Sequence, residues 1–143
     1  MAKSLLLASL LFHSLAHADI TGIWNSDGNE SQIRITLDSK TETYFGTITA
    51  ISDPIDNETG KPWLDKYNPD PEKRNQPILG LQLMRDFKKK SKTKYSDGKI
   101  YDPKSGKTYS GTITQSDTDT LRLRGYIGIS LIGRTTIWKR TEK

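Results

Sequence analysis

Short runs in which polar and apolar residues alternate, separated by turn residues at regular intervals, constrain this chain more than any other feature. Gln32-Ile33-Arg34-Ile35-Thr36-Leu37 alternates strictly, the mark of a strand with one wet face. Residues 43–51 are β-branched and aromatic, with Tyr44, Gly46, Ile48 and Ala50 on one side. Residues 77–87 put Leu79, Leu81 and Leu83 on one face. Tyr109, Gly111 and Ile113 share a face, as do Leu121 and Leu123 against Arg122 and Arg124. Residues 132–138 are rich in Ile and Thr. No window holds a helical stripe of ten residues. Turns are marked at Asp27-Gly28-Asn29, at Ser116-Asp117-Thr118-Asp119, and at Asp102-Pro103-Lys104-Ser105-Gly106-Lys107, where Gly suits a position with φ > 0. The pattern predicts strands near 21–26, 31–38, 42–52, 77–87, 92–101, 107–114, 120–127 and 132–140. The expected fold is all-β: a small antiparallel up-and-down barrel of about eight strands. Eight strands just close around side chains or one small ligand, and closure removes exposed edges.

The N-terminus has a different character. Lys3 supplies a positive charge, residues 5–15 are mostly apolar, and Ala16-His17-Ala18 is a small-x-small cleavage pattern before Asp19. This is the layout of a secretory signal peptide, so residues 1–18 are expected to be removed and residues 19–143 to form one exported domain, periplasmic or secreted. The run is too short for a transmembrane helix, which needs ~20 apolar residues. The chain has no cysteine, and its two histidines, His13 and His17, both lie in this leader. A mature chain without Cys or His rules out a Cys₂His₂ or His₃ zinc site, a Cys–His pair, a Ser-His-Asp triad and a disulfide framework. Losing Lys3 leaves 21 basic against 17 acidic residues. That charge is too low for a disordered chain, and three Trp and six Tyr enlarge a core that has no valine.

Residues 53–76 form the one long irregular stretch, with Pro54, Pro62, Pro69 and Pro71. A loop of this length inside a compact domain is commonly functional, and a short helical turn is expected after Asp70-Pro71. Asp65, Asn68, Asp70 and Glu72 offer oxygen ligands there, but the spacing is not an EF-hand loop, and Asx residues beside Pro are ordinary turn formers. The run Lys88-Lys89-Lys90-Ser91-Lys92-Thr93-Lys94 reads as a solvated hairpin whose lysines discourage edge pairing. It leaves room for weak contact with anionic envelope surfaces, and no aromatic platform for nucleic acid accompanies it. The Gly-rich stretch 125–133 lacks Gly-x-Gly-x-x-Gly spacing and a following helix, so it reads as a turn or bulge rather than a phosphate cradle. Arg122, Arg124 and Arg134 could grip an anion, yet alternation points Arg122 and Arg124 outward.

Gly22-Ile23-Trp24 resembles the Gly-x-Trp signature of lipocalins and other calycins. A larger set carries a closer resemblance: Pro77-Ile78-Leu79-Gly80-Leu81, then Asp97-Gly98-Lys99-Ile100-Tyr101-Asp102-Pro103, then Leu123-Arg124-Gly125-Tyr126-Ile127-Gly128, with Asp65-Lys66-Tyr67-Asn68-Pro69-Asp70-Pro71 in the loop. This is similar to the family called domain of unknown function 2147, small exported bacterial proteins. The resemblance implies a calycin-like barrel and no agreed activity. It also implies a closed end where Trp24 packs under a basic residue of the last strand, Arg140 or Arg134. Many relatives carry a cysteine pair in the long loop; this chain has none.

Together these readings predict a lipocalin-like barrel, not an enzyme, that binds a small, partly apolar ligand in its interior. Tyr44, Ile48, Leu79, Leu81, Leu83, Tyr109, Ile113, Leu121 and Leu123 would line the site, with Trp63 on a loop acting as lid. No metal or cofactor is expected. The alternative is a cell-envelope structural or interaction module whose barrel is packed solid. An interior cavity of ~300 Å³ or more would favour the ligand.

Overall fold

Alternation sets the strands, and the strands close on themselves. The computed structural model describes residues 19–129 and 132–141; the leader expected at 1–18 lies outside them. The strands are β1 (Gly22–Asn25), β2 (Ser31–Asp38), β3 (Thr43–Ile51), β4 (Ile55–Asp56), β5 (Lys61–Pro62), β6 (Gln82–Lys89), β7 (Lys94–Asp102), β8 (Lys107–Asp117), β9 (Thr120–Tyr126) and β10 (Gly133–Arg140). Eight of them form a closed barrel in the order β1-β10-β9-β8-β7-β6-β3-β2, every pairing antiparallel. The small β4–β5 hairpin sits in the long loop, and short 3₁₀ turns span Asp27–Asn29 and Pro71–Lys73. Asp70 caps the second turn, its carboxylate accepting from the Glu72 N–H at 3.0 Å, and Pro71 supplies the fixed φ that suits its first position.

The barrel is filled from inside. Ile20, Trp24, Ile33, Ile35, Tyr44, Met84, Phe87, Tyr95, Ile113, Leu121, Leu123 and Trp138 make one buried cluster. Phe87 and Met84 explain three of the glycines. A Cβ on Gly98 would lie 2.3 Å from its ring, and one on Gly111 2.7 Å from it. A Cβ on Gly46 would meet Met84 and Ile33 at about 3 Å. Bare backbone on three strands thus makes the room in which two large side chains lie.

One strand departs from simple alternation. The expected inward set of β6, Leu79, Leu81 and Leu83, is replaced by Met84 and Phe87. Leu79 is 51 % exposed and precedes the strand, and Leu81 is only half-buried. The physical reason is two irregularities. Gln82 pairs with Thr47 but Met84 pairs with Gly46, which leaves Leu83 as an extra residue that still packs against the core. Asp86 and Asp97 then both take positive φ, 64° and 63°, where Arg85↔Lys99 gives way to Lys88↔Ser96. Such bulges re-aim side chains, here turning Phe87 inward over Gly98.

The two ends differ. At one end lie the chain start at 19–21, the β2–β3 and β8–β9 turns, and the β6–β7 hairpin that carries the lysine run. At the other lie residues 26–30, the long segment 52–81, the β7–β8 turn, residues 127–129 and residue 132. Most of the large apolar side chains left in solvent, including Tyr67, Leu79, Ile127, Ile129 and Ile132, belong to this loop-bearing end.

Candidate functional site

The first end is closed by backbone, ring and charge together. Trp24 has no exposed surface, and its indole N–H donates to the Ile20 carbonyl at 2.9 Å. The Arg140 guanidinium lies 4.2 Å from the ring centroid. It also donates to the Thr21 carbonyl at 2.8 Å, the Asp19 carbonyl at 3.2 Å and the Thr118 carbonyl at 3.0 Å. Gly22 takes φ +126°, and a Cβ there would sit 2.6 Å from Arg140 Nη1, so the tripeptide needs Gly for conformation and for space alike. Arg134 is not part of this arrangement. It is exposed at the far end of β10, opposite Gly125, roughly 20 Å along the strand from Arg140 at ~3.3 Å per residue.

Ile20 is fully buried beneath the barrel, so the segment 19–21 acts as its plug. The Asp19 carboxylate accepts from the Thr21 N–H at 2.9 Å, the Thr21 hydroxyl at 2.6 Å and the Tyr44 hydroxyl at 3.2 Å. Burial raises the Asp19 pKa, but the Thr21 and Tyr44 donors, helped by Lys89, outweigh it and hold the carboxyl below its ordinary value. Burial first, then the Asp19 charge, pushes the Tyr44 hydroxyl up to about 12. Tyr95 stands edge-on to Tyr44, ring centroids 5.0 Å apart. A carboxyl depressed in the folded state stabilises it above the unfolded pKa and loses that contribution as pH falls through the folded value. Urea midpoints measured from pH 6 down to 3 should therefore fall less steeply in Asp19→Asn than in wild type. Parallel slopes would show that the carboxylate is not part of the plug.

Of the residues expected to line an interior site, Tyr44, Ile113, Leu121 and Leu123 are in the filled cluster. Ile48 is buried beside it, under the 80–81 segment that hydrogen-bonds its backbone on both sides. Tyr109 is half-buried on β8 nearer the loop-bearing end. Leu79, Leu81 and Leu83 do not join them as a row, for the reasons given above. Trp63 stands in the long loop, half-buried, its indole N–H donating to the Asp53 carbonyl at 2.9 Å.

That loop is latched by a group the alternation pattern never points to. The Asp65 carboxylate, fully buried, accepts from the Tyr101 hydroxyl at 2.6 Å, the Asn68 amide at 2.7 Å and the Gln76 amide at 3.4 Å. Arg74 donates to the Asn68 carbonyl at 2.8 Å. Burial, then the hydrogen bond to Asp65, pushes the Tyr101 pKa above its ordinary value, so the phenol keeps its proton and serves as donor. Gly106 completes the seal: at φ +71°, a Cβ there would lie 2.0 Å from the Tyr67 carbonyl. Asp65 and Asn68, whose residue types also suit a cation, are thus engaged in holding the loop.

The latch leaves a groove of ≈ 200 Å³ between the loop and the β7–β8 turn, lined by Trp63, Leu64, Lys66, Tyr67, Ile78, Pro103 and Lys104. The Lys66 ammonium lies 5.9 Å from the Trp63 ring centroid and 5.3 Å from that of Tyr67. The Lys104 ammonium is paired with the Glu30 carboxylate at 2.6 Å, so the groove offers apolar walls with Lys66 as its cationic tip.

Residues 22–140 match the family model described as "Uncharacterized protein conserved in bacteria (DUF2147)". Among solved structures, the fold is similar to "Protein HP1028 from the human pathogen Helicobacter pylori belongs to the lipocalin family". The TM-score is 0.74 and the sequence identity 25 %, over 87 % of this chain and 84 % of that one. No curated protein matches the chain. The family match runs from β1 to the end of β10, the whole closed barrel, and the chain therefore belongs to the DUF2147 family, with a lipocalin-like fold.

Proposed function

We propose that this protein is an exported, non-catalytic binding protein that takes a small ligand with an apolar tail and an anionic head. Its site is the groove at the loop-bearing end rather than the barrel interior. The observation that carries this reading is where the space lies. The interior holds one cluster of buried side chains, with Phe87 against bare glycine backbone. The groove combines Trp63, Tyr67 and Ile78 with the ammonium group of Lys66, while Lys104 is held by the Glu30 carboxylate. Lipocalin-like barrels tolerate such a shift because their loops, not their strands, set the outer contacts. Export rests on the leader pattern of residues 1–18.

Titrating dodecanoate and following tryptophan fluorescence tests the site. Trp24 and Trp138 are buried in the core, so a saturable change should come from Trp63 and disappear in Trp63→Phe. Lys66→Gln should weaken dodecanoate about 2- to 5-fold, the scale of one exposed ion pair, and leave dodecanol binding unchanged. Absence of saturable binding, or binding indifferent to both substitutions, would favour the packed-barrel interaction module that the filled core also suits.

A further inference from the structure

The outer wall of β8, β9 and β10 carries a second depression, remote in character from the loop-end groove. It measures ≈ 220 Å³ and is lined by Thr112, Thr114, Ser116, Arg122, Arg124 and Thr135. Strand register assembles it. Thr112 stands opposite Arg124 and Thr114 opposite Arg122 across β8 and β9, and Thr135 stands opposite Arg124 from β10. All take the wet side because Ile113, Leu121, Leu123 and Trp138 take the inner one. Two arginines, their Cα atoms about 6.8 Å apart as i and i+2 on one strand, thus stand among hydroxyls. Arg124 Nη1 donates to Thr135 Oγ1 at 3.1 Å, which fixes the orientation of its guanidinium. Among the described residues, no carboxylate lines the depression. Lys94, opposite Thr114, and Lys99, opposite Ser110, extend the positive charge onto β7.

The chemistry of these groups selects a class of partner. A guanidinium fork matches a carboxylate in a bidentate pair. Ser and Thr hydroxyls both donate and accept, as sugar hydroxyls do. Among the described residues, the lining has no aromatic ring on which a nucleobase could stack. We infer that this wall binds a carboxylate-bearing polysaccharide, with Arg122 and Arg124 on its carboxylates and Thr112, Thr114 and Thr135 on its hydroxyls. The inference stands apart from the loop-end groove and survives the failure of that reading.

Calorimetric titration with polygalacturonate tests it, with dextran as the neutral chain and polyphosphate as an anion without sugar hydroxyls. Arg122→Gln with Arg124→Gln should weaken polygalacturonate at least about 10-fold, the loss expected for two charge-assisted pairs. Thr112→Val with Thr114→Val should weaken it about 3-fold at constant charge, consistent with lost hydroxyl contacts. Replacing Lys88, Lys90 and Lys92 by Gln in the neighbouring hairpin removes more charge but no guanidinium, and should weaken it clearly less than the Arg pair does. All these side chains lie on the outside of the barrel, so thermal melts of the variants should match wild type. The inference is overturned by an unchanged affinity in the Arg pair, by an equal loss in the hairpin variant, or by polyphosphate binding as tightly as polygalacturonate. Dextran binding as tightly would overturn it too.

Discussion

Trp24→Ala should lower the stability of this protein by about 3–5 kcal/mol, the cost of truncating a large buried aromatic. Total stabilities are typically about 5–15 kcal/mol, so this one change removes a large share. Three losses combine. The fully buried indole leaves a void. The Ile20 carbonyl loses its 2.9 Å donor. Arg140 loses the ring beneath its guanidinium, and with it the packing that holds the group on the Thr21 and Asp19 carbonyls. A cation over Trp contributes ~0.5–2 kcal/mol, so Arg140→Met, which keeps the stem, should cost clearly less than Trp24→Ala. Trp24→Phe, which keeps a ring but not the N–H, should fall between. Urea midpoints of the three variants check the order. A Trp24→Ala midpoint equal to wild type would mean that the first strand does not seal this end.

Much of this architecture was legible in the chain. The alternation over 32–37 and around 121–124 gave strands at the observed places, because one wet and one dry face leave a period of two. The register of β6 was not legible. Its leucines at 79, 81 and 83 keep perfect period two, while the residues that point inward, Met84 and Phe87, stand three apart. Only a positive-φ residue between them, Asp86, makes that spacing work; Asp tolerates that conformation better than most residues, but the alternation of the leucines before it carries no trace of the bulge. Arg134 and Arg140 share strand parity, so alternation cannot choose between them. The pairing of Trp24 with Arg140 across β1 and β10 makes the choice. In the long loop, Asp65 reads as one more acidic turn former. Its decisive partner, Tyr101, lies 36 residues away, and a single hydrogen bond at that separation leaves no periodic trace. Trp63 could be recognised as an apolar tip, but not which surface it would face.

Phe87→Ala should produce the converse of a filled barrel: a less stable protein with a new site inside. The ring has no exposed surface and covers Gly98 and Gly111, where an added Cβ would fall 2.3 and 2.7 Å from it. Removing it leaves bare backbone on two strands, which no neighbouring side chain grows out to cover. The void is walled by Met84, Ile100 and the cluster around them, and apolar voids of this kind stay dry and accept small apolar molecules. The expected cost is about 3–5 kcal/mol. Saturating benzene should return part of it, because a ligand that binds only the folded state raises the thermal midpoint with its concentration. Gly98→Ala in the Phe87→Ala background should then cost little, whereas in wild type it should cost about 1–3 kcal/mol by overpacking. That reversal separates a filled interior from a hollow one. In a hollow barrel, wild type would already gain from benzene, and the Gly98→Ala penalty would be the same with or without the ring.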